Sequence, residues 1–428
     1  MTARATQFAY SGLTLSVSSA VGQFHLDGRE FTERVDFSGV GPMNAPAPRA
    51  VLELWYLLAG LSYYKAGAAL RIDLGETPVS PAGRELLRAA ILDGLGEYAY
   101  RNALDLADVE IDGGRAATSV ETSLEPERVL TPFGGGIDSV VAVSELSSDL
   151  DQSLFVVSPR SGPFEPLEAT AAVTGRTVVR ATRELDPAIV AGDPSFFSGH
   201  VPVTAMITLL AAAAAVADGR GGVVMSNEHS ASVPNFVVNG REINHQWSKS
   251  WVAEQLISRA LVERLGDTLC VASVLRSRSE LWVAERFSRL REYHSTFRSC
   301  NRAFRQTRAE RAITWCGECD KCLFIHLVLA PFMDRAELAG VLGVEPLADP
   351  ARRTQLRTLV GLGEHRKPFE CVGDPSECAV ALRAVSELPA WRDVDNVNAL
   401  VGLLDRDETL EEMLEPRGVS RVPSTWLR

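Results

Sequence analysis

The chain has 428 residues, 46% hydrophobic and 23% charged, and its 43 basic and 55 acidic side chains leave a formal net charge of −12. That composition excludes a disordered or fibrous chain and, at roughly 100–200 residues per domain, predicts two or three domains with cores that need no staple. The acidic balance argues against a nucleic-acid partner, which would need a broad basic face.

The first ten residues lack the charged start and apolar run of a secretory signal. Leu13, Leu15 and Val17 alternate as in a half-buried strand, and Asp27-Gly28 between apolar flanks is a hairpin signal. Residues 42–48 read as a loop, after which Val51, Leu54, Trp55 and Leu58 recur at helical spacing. Ser80-Pro81 predicts a helix start, with Ser as cap, Pro in the first turn and Leu87, Ile91 and Leu95 facing inward. Residues 112–127, rich in Gly, Ser, Thr and Glu, read as a linker.

From Arg128 short apolar runs alternate with helices. Strands are expected at 129–130, 154–157, 177–180, 223–225 and 268–274, with helices after the first, at 166–173, 202–218 and about 247–265. The longest apolar run, residues 201–217, is Ala-rich and short of the roughly 20 residues of a membrane span, so it reads as a buried helix and no membrane partner is expected. The alternation predicts an α/β fold with a parallel, doubly wound sheet that binds ligands at the carboxyl ends of its strands. The expected organisation is an α+β N-terminal domain (1–125), a sheet domain (126–330) and a mostly helical C-terminal region (331–428). Nothing in the sequence calls for an obligate protein partner, and residues 374–428 offer no chemistry.

The turn Thr131-Pro-Phe-Gly134-Gly135-Gly136-Ile137-Asp138-Ser139 follows a strand and opens a helix. Its glycines allow close approach of an anion and positive φ, and the free N–H groups of the helix start face that anion together with Ser139. A Walker A loop would need a Gly-Lys-Ser/Thr end, and a Rossmann turn Gly-x-Gly-x-x-Gly; neither is present. The turn resembles the PP-loop, Ser-Gly-Gly-x-Asp-Ser, which grips the outer phosphates of ATP so that pyrophosphate leaves. Gly134 stands where that pattern has its first Ser, so one hydroxyl contact is lost while the backbone cradle is kept. Asp138 is a candidate for Mg2+ or for orienting the loop; its bland role is a helix N-terminal charge.

Cys316, Cys319 and Cys322 form Cys-x2-Cys-x2-Cys, with Cys300 upstream. Four thiolates at such spacing suit structural Zn2+, with an iron–sulfur cluster as the metal alternative and buried free cysteine as the bland one. Seven cysteines, three of them this close together, fit a reduced cytoplasmic protein better than a disulfide framework. A further dense polar stretch follows the strand at 223–225: Asn227, Glu228 and His229, then Arg241, His245 and Lys249. As a group these are candidates for acid–base and substrate-binding work, although each alone reads more simply as a loop or cap residue. His200 and Tyr63-Tyr64-Lys65 read as structural.

Taken together, the chain resembles the ATP-dependent UDP-N-acetylmuramoyl-L-alanyl-L-glutamate epimerase family of bacterial peptidoglycan synthesis. The resemblance rests on Ser62-Tyr-Tyr-Lys65, Gly134-Gly-Gly-Ile-Asp-Ser139, Gly199-His-Val-Pro-Val-Thr204, Val224-Met-Ser-Asn-Glu228, Asn239-Gly-Arg-Glu-Ile-Asn-His-Gln246, Ser299-Cys-Asn-Arg302, Trp315-Cys-Gly-Glu-Cys-Asp-Lys-Cys322 and Lys367-Pro-Phe-Glu-Cys-Val-Gly373. It implies a PP-loop fold, ATP and Mg2+, a UDP-muramoyl dipeptide substrate and an acyl-adenylate on the terminal L-Glu. It assigns no catalytic base; the residues themselves nominate Glu228, His245 and Lys249 for the proton relay and carboxylate binding, and Asn227 and Arg241 for the substrate's polar and negative groups. Two alternatives stay open: another PP-loop adenylating enzyme, either an amide ligase or a tRNA thiolase, and a zinc-stabilised nucleotide-binding regulator without turnover.

Overall fold

The computed structural model describes residues 3–238, 240–305, 307–363, 367–404 and 408–428. Alternation builds the first layer. β1 (Gln7–Leu15), β2 (Ser19–Leu26) and β3 (Arg29–Ser38) form an antiparallel meander whose inward residues include Phe8, Phe24, Phe31 and Val35. Asp27 and Gly28 both take positive φ, 41° and 91°, as the expected two-residue hairpin requires. Val17 lies beyond the end of β1 and is 62% exposed, so the alternation at Leu13 and Leu15 stops one step earlier than the sequence suggested.

Two short strands, β4 (Arg71–Asp73) and β5 (Glu110–Asp112), extend the meander in parallel from β1. The chain then enters β6 (Glu125–Pro132), β7 (Asp151–Pro159), β8 (Val178–Glu184), β9 (Arg220–Met225) and β10 (Cys270–Ser273), which pair in parallel in the order β10-β9-β6-β7-β8. β8 pairs antiparallel with β3, so both stretches share one mixed ten-stranded sheet. The far end of β8 is the polar Thr-Arg-Glu, and this is why only residues 177–180 look like a strand in the sequence.

The parallel half is covered on both faces, and period two divides it cleanly. Leu130, Phe155, Val223 and Val271 enter one core, while Val129, Leu154, Val156, Val224 and Ala272 enter the other. The first core is closed by α1 (Pro46–Ala59), α5 (Val203–Ala217) and α6 (Trp251–Leu265); the second by α3 (Ile137–Glu145), α7 (Glu280–Ser288), α8 (Asp320–Leu329) and α9 (Pro375–Glu387). The Ala-rich run is thus a core helix, and no helix among the described residues is long and apolar enough to cross a membrane.

Local signals set the helix starts. Pro46 sits in the first turn of α1, inside the stretch that reads as a loop. Ser80 caps α2 (Pro81–Ala89) by accepting from the Gly83 N–H, as expected. Ser250 accepts from the Ala253 N–H and starts α6 at Trp251; the preceding Trp247–Lys249 is a separate 3-10 turn, which leaves Lys249 outside the helix. At the chain end, Trp426 packs over Gly222 of β9, where an added Cβ would lie 2.6 Å from the indole.

Candidate active site

The carboxyl ends of β6, β9 and β10 open onto one spot. β6 ends in the glycine turn, where Gly135 takes φ +72° and an added Cβ would meet the Leu167 Cα at 3.0 Å. The extended Gly136 starts α3 with no side chain to cap it, so the first-turn N–H groups keep their donor capacity. Ser139 turns its hydroxyl back onto the Gly136 carbonyl at 3.0 Å, and Gly134 is exposed with open space around its Cα.

Asp138, Glu228 and Glu280 converge here, one ligand oxygen of each lying within 4.8 Å of the others. Asp138 comes from the first turn of α3, Glu228 from the end of β9, and Glu280 from the start of α7 behind its Ser279 cap. Asp138 Oδ1, Glu228 Oε2 and Glu280 Oε2 are buried without a hydrogen-bond partner. Burial and then the Glu228 charge push the Asp138 carboxyl up to about 6, against Lys321 and Lys249; burial and then Asp138 raise Glu280 well above its ordinary value. Buried like charges with spare lone pairs are a donor set that suits a hard divalent cation.

Arg276 builds the wall beside this cluster. Its guanidinium, 2% exposed, pairs with Glu254 at 2.8 Å and donates to the backbone carbonyls of Glu228 (3.1 Å) and Lys249 (2.7 Å). One buried fork therefore fixes two of the polar residues singled out from the sequence. Burial acts against the Lys249 charge, but Cys371, Glu228, Asp138 and Glu280 together raise its pKa, so it stands as an ammonium facing the carboxylates.

A second constellation adjoins the first through Lys249. His245 meets Glu97 through Nδ1 and is the hydrogen-bond partner of the Cys371 thiol. Burial disfavours its charge, yet the thiol and the carboxylate raise its pKa to about 9. The His200 ring lies 4.3 Å from that of His245, and burial and then this neighbour push it down to about 3, leaving it neutral. Amides hold the loops: Asn235 accepts from the His245 N–H (2.7 Å) and donates to the Pro368 carbonyl (2.7 Å), and Gln246 donates to the Val372 carbonyl (2.9 Å).

The cysteine cluster forms a third group. Cys300, Cys316, Cys319 and Cys322 place their sulfurs within 4.8 Å of one another, with Cys316–Cys322 at 3.7 Å and Cys319–Cys322 at 3.4 Å. A tetrahedral thiolate site with Zn–S near 2.3 Å has sulfurs about 3.8 Å apart, so the four fit Zn2+. The Glu318 and Cys319 N–H groups donate to the Cys316 sulfur, as thiolates in such knuckles require. The knuckle also abuts the glycine turn: the Arg298 N–H donates to the Gly135 carbonyl at 3.2 Å, and an added Cβ on Gly136 would lie 2.8 Å from the Ser299 hydroxyl.

Other candidates lie apart or serve the fold. Asn227 is buried, and its carbonyl accepts from the Ser273 hydroxyl at 2.6 Å. Arg241 lies on a small hairpin (Phe236–Val238 with Arg241–Ile243), in a groove with Tyr100 and Ile243 and within electrostatic range of Asp93 rather than beside the three carboxylates. Tyr63 and Tyr64 are fully buried among Phe8, Phe24 and Phe31, and Lys65 donates to the Gly199 carbonyl. Asn239 lies outside the described residues. Glu280 and Glu97 were not singled out from the sequence, and Cys371 entered there only as part of the 367–373 motif, without a role. Glu280 looks there like an ordinary first-turn acid, Glu97 sits in a helix far from any motif, and Cys371 gains its meaning only from the imidazole folded against it.

A mostly parallel sheet that gathers carboxylates, a lysine and a glycine turn at its strand ends is the framework of an α/β enzyme acting on a small molecule. The chain belongs to the MurL family: the MurL N-terminal domain matches residues 1–274 and the MurL C-terminal domain residues 296–414. Three relatives are each called UDP-N-acetyl-alpha-D-muramoyl-L-alanyl-L-glutamate epimerase. The one from Salinispora tropica is 39% identical over 96% of this chain and 92% of its own; that from Micromonospora sp. is 37% identical over 98% and 96%. The one from Xanthomonas oryzae pv. oryzae is 32% identical over 94% and 91%. No solved structure matches the chain.

Proposed function

We propose that this protein inverts the terminal L-Glu of UDP-N-acetylmuramoyl-L-Ala-L-Glu to D-Glu at the expense of ATP, releasing AMP and pyrophosphate, in the synthesis of peptidoglycan precursors. The substrate follows from the names of relatives that match nearly the full chain. The chemistry rests on one observation: an uncapped glycine-turn helix start beside three carboxylates, each with a buried and unpartnered oxygen.

A free α-carboxylate resists loss of its α-proton because its own charge opposes the carbanion. Joining that carboxylate to the nucleotide's inner phosphorus expels pyrophosphate, removes the charge and makes an enolate accessible; after reprotonation, water cleaves the mixed anhydride to the carboxylate and AMP. In this reading the sheet domain is of PP-loop type. Gly134, Gly135, Gly136 and Ser139 cradle the outer phosphates at the start of α3, where N–H groups and helix dipole favour anions. Asp138, Glu228 and Glu280 would hold Mg2+, which supplies neutralisation of the phosphate charge. That assignment moves Glu228 from the proton relay to the metal, because its orphaned oxygen faces Asp138 and Glu280. Cys300, Cys316, Cys319 and Cys322 would hold structural Zn2+, which fixes the knuckle against the turn. Lys249 serves the reacting glutamate, and Asn227 and Arg241 remain candidates for the rest of the dipeptide and its nucleotide.

An amide ligase would consume an amine and keep the configuration; a regulator would bind ATP without releasing AMP. Incubation with the UDP-muramoyl dipeptide, ATP and Mg2+ in deuterated water separates them. AMP, D-Glu and α-deuterium appear together under this reading, and absence of α-deuterium from a reaction that makes AMP would exclude it.

A further inference from the structure

Of the seven cysteines, four make the metal-type cluster, and the other three, Cys270, Cys371 and Cys378, sit in different chemistry. Burial raises the Cys270 and Cys378 thiols, the ordinary fate of a cysteine in a core. Cys371 behaves in the opposite way: burial acts to raise it, but Lys249 and then His245, with Lys321, draw it down to about 6. The groups facing it are two lysines and an imidazole, and that imidazole is held by Glu97, with His200 and Glu370 near the ring. A thiol bonded to an imidazole that a carboxylate holds in turn is the arrangement that makes a reactive base or nucleophile.

The thiol is also fixed in place. Gln246 holds the Val372 carbonyl at 2.9 Å, Asn301 the Glu370 carboxylate at 2.5 Å and Lys367 the Ser230 carbonyl at 3.2 Å. Val372 is therefore tied to the loop that carries His245, Lys367 to the segment just after Glu228, and Glu370 to Asn301 beside Cys300. The Lys249 ammonium lies within electrostatic range of the thiol and of the three carboxylates, so its charge links the two constellations.

We propose that Cys371 is a catalytic residue of the epimerisation, its thiolate exchanging the α-proton of the activated glutamyl residue, with His245 and Glu97 as positioning residues. This rests on the adenylation reading given above. In the L-to-D direction the Cα–H bond breaks and an S–H bond forms, and the electron pair passes into the acyl group as an enolate. The Lys249 ammonium protonates the opposite face. The resulting thiol and amine then pass one proton between them through water, which restores the starting pair.

The test uses the full-length protein with the UDP-muramoyl dipeptide, ATP and Mg2+. Dipeptide-dependent pyrophosphate–ATP exchange reads adenylation; deuterium at the α-carbon and D-Glu read proton transfer. Cys371→Ser and Cys371→Ala should each lose deuterium uptake and D-Glu by about 100-fold or more, while exchange stays within about threefold. His245→Asn should lower kcat and move the acid limb of the pH profile upward, with KM little changed, because the thiolate loses a cationic partner. In the wild type, iodoacetamide should label Cys371, the dipeptide should slow labelling, and the labelled protein should keep exchange but not epimerise. This arm holds even if the substituted chains fail to fold.

Epimerisation within tenfold of wild type in Cys371→Ala would overturn the proposal, as would a parallel loss of exchange and epimerisation in a protein that still melts normally. Recovery of the dipeptide as a thioester on Cys371 would replace proton transfer with covalent capture and overturn it too. A wild-type protein without dipeptide-dependent exchange would remove the adenylation reading itself, and this proposal with it.

Discussion

The cysteine knuckle and the carboxylate cluster lie against the same glycine turn, yet they are assembled in opposite ways. Three of the four thiols come from seven consecutive residues, 316–322, and backbone N–H groups within that stretch already serve the Cys316 sulfur. The carboxylates come from positions 138, 228 and 280, the ends of three different elements, and nothing local gathers them. The first is a site made by spacing; the second is made by sheet topology, through β6, β9 and β10 ending together. A spacing-built site stabilises the fold around it, whereas a topology-built site of like charges is held together at a cost by the rest of the fold.

Substitutions can break this contrast. On the zinc assignment proposed above, Cys300→Ser or Cys322→Ser should abolish metal binding and remove much of the roughly 5–15 kcal/mol that stabilises a typical domain, read as loss of soluble protein or of the thermal transition. A variant that melts normally without metal would make the knuckle ornamental. Arg276→Met should cost about 3–5 kcal/mol by leaving the Glu254 charge buried and unpaired, read by chemical denaturation. Glu280→Gln should leave the melting temperature unchanged or raised without Mg2+, since a buried carboxyl crowded by like groups is gone, yet lower turnover about 100-fold. A fall in stability there would mean that the carboxylates support the fold as the thiols do.

The smallest effect sharpens the contrast from the other side. His326, on the helix that follows the knuckle, is fully buried with neither ring nitrogen hydrogen-bonded, and burial pushes it down to about 4. Its folded pKa lies below the ordinary 6.5, so its contribution is present above that value and is lost as pH falls toward 4. Between pH 6.5 and 5 the protein should lose roughly 1–2 kcal/mol through this group, and His326→Leu should flatten that limb of a stability-versus-pH curve.

What could be read from the sequence follows the same division. The glycine turn, the knuckle, the Asp27-Gly28 hairpin and the capped helix at Ser80 are local, and each stands where its residues predicted. Glu228 and Lys249 could be singled out because polar residues crowd after a strand end. Glu280, Glu97 and Cys371 could not, since a carboxylate in a helix or a lone thiol in a loop carries no local mark of its partners. The same holds for the seam between β3 and β8: the end of β8 is polar because it faces charged partners, and alternation cannot reveal that.

That seam bears on how the molecule could be cut. Five residue pairs, Ser38 to Arg34 against Arg180 to Glu184, join the two halves, and the Glu33 carboxylate, fully buried, is neutralised by Arg183 from the other side at 2.7 Å. A shortened protein starting near residue 126 would be left with an open strand edge and an orphaned guanidinium, a template for sticking to its own copies. Supplied as a separate polypeptide, the first 125 residues would have a ready docking edge, so the two pieces should reassemble when made together and fail when made apart.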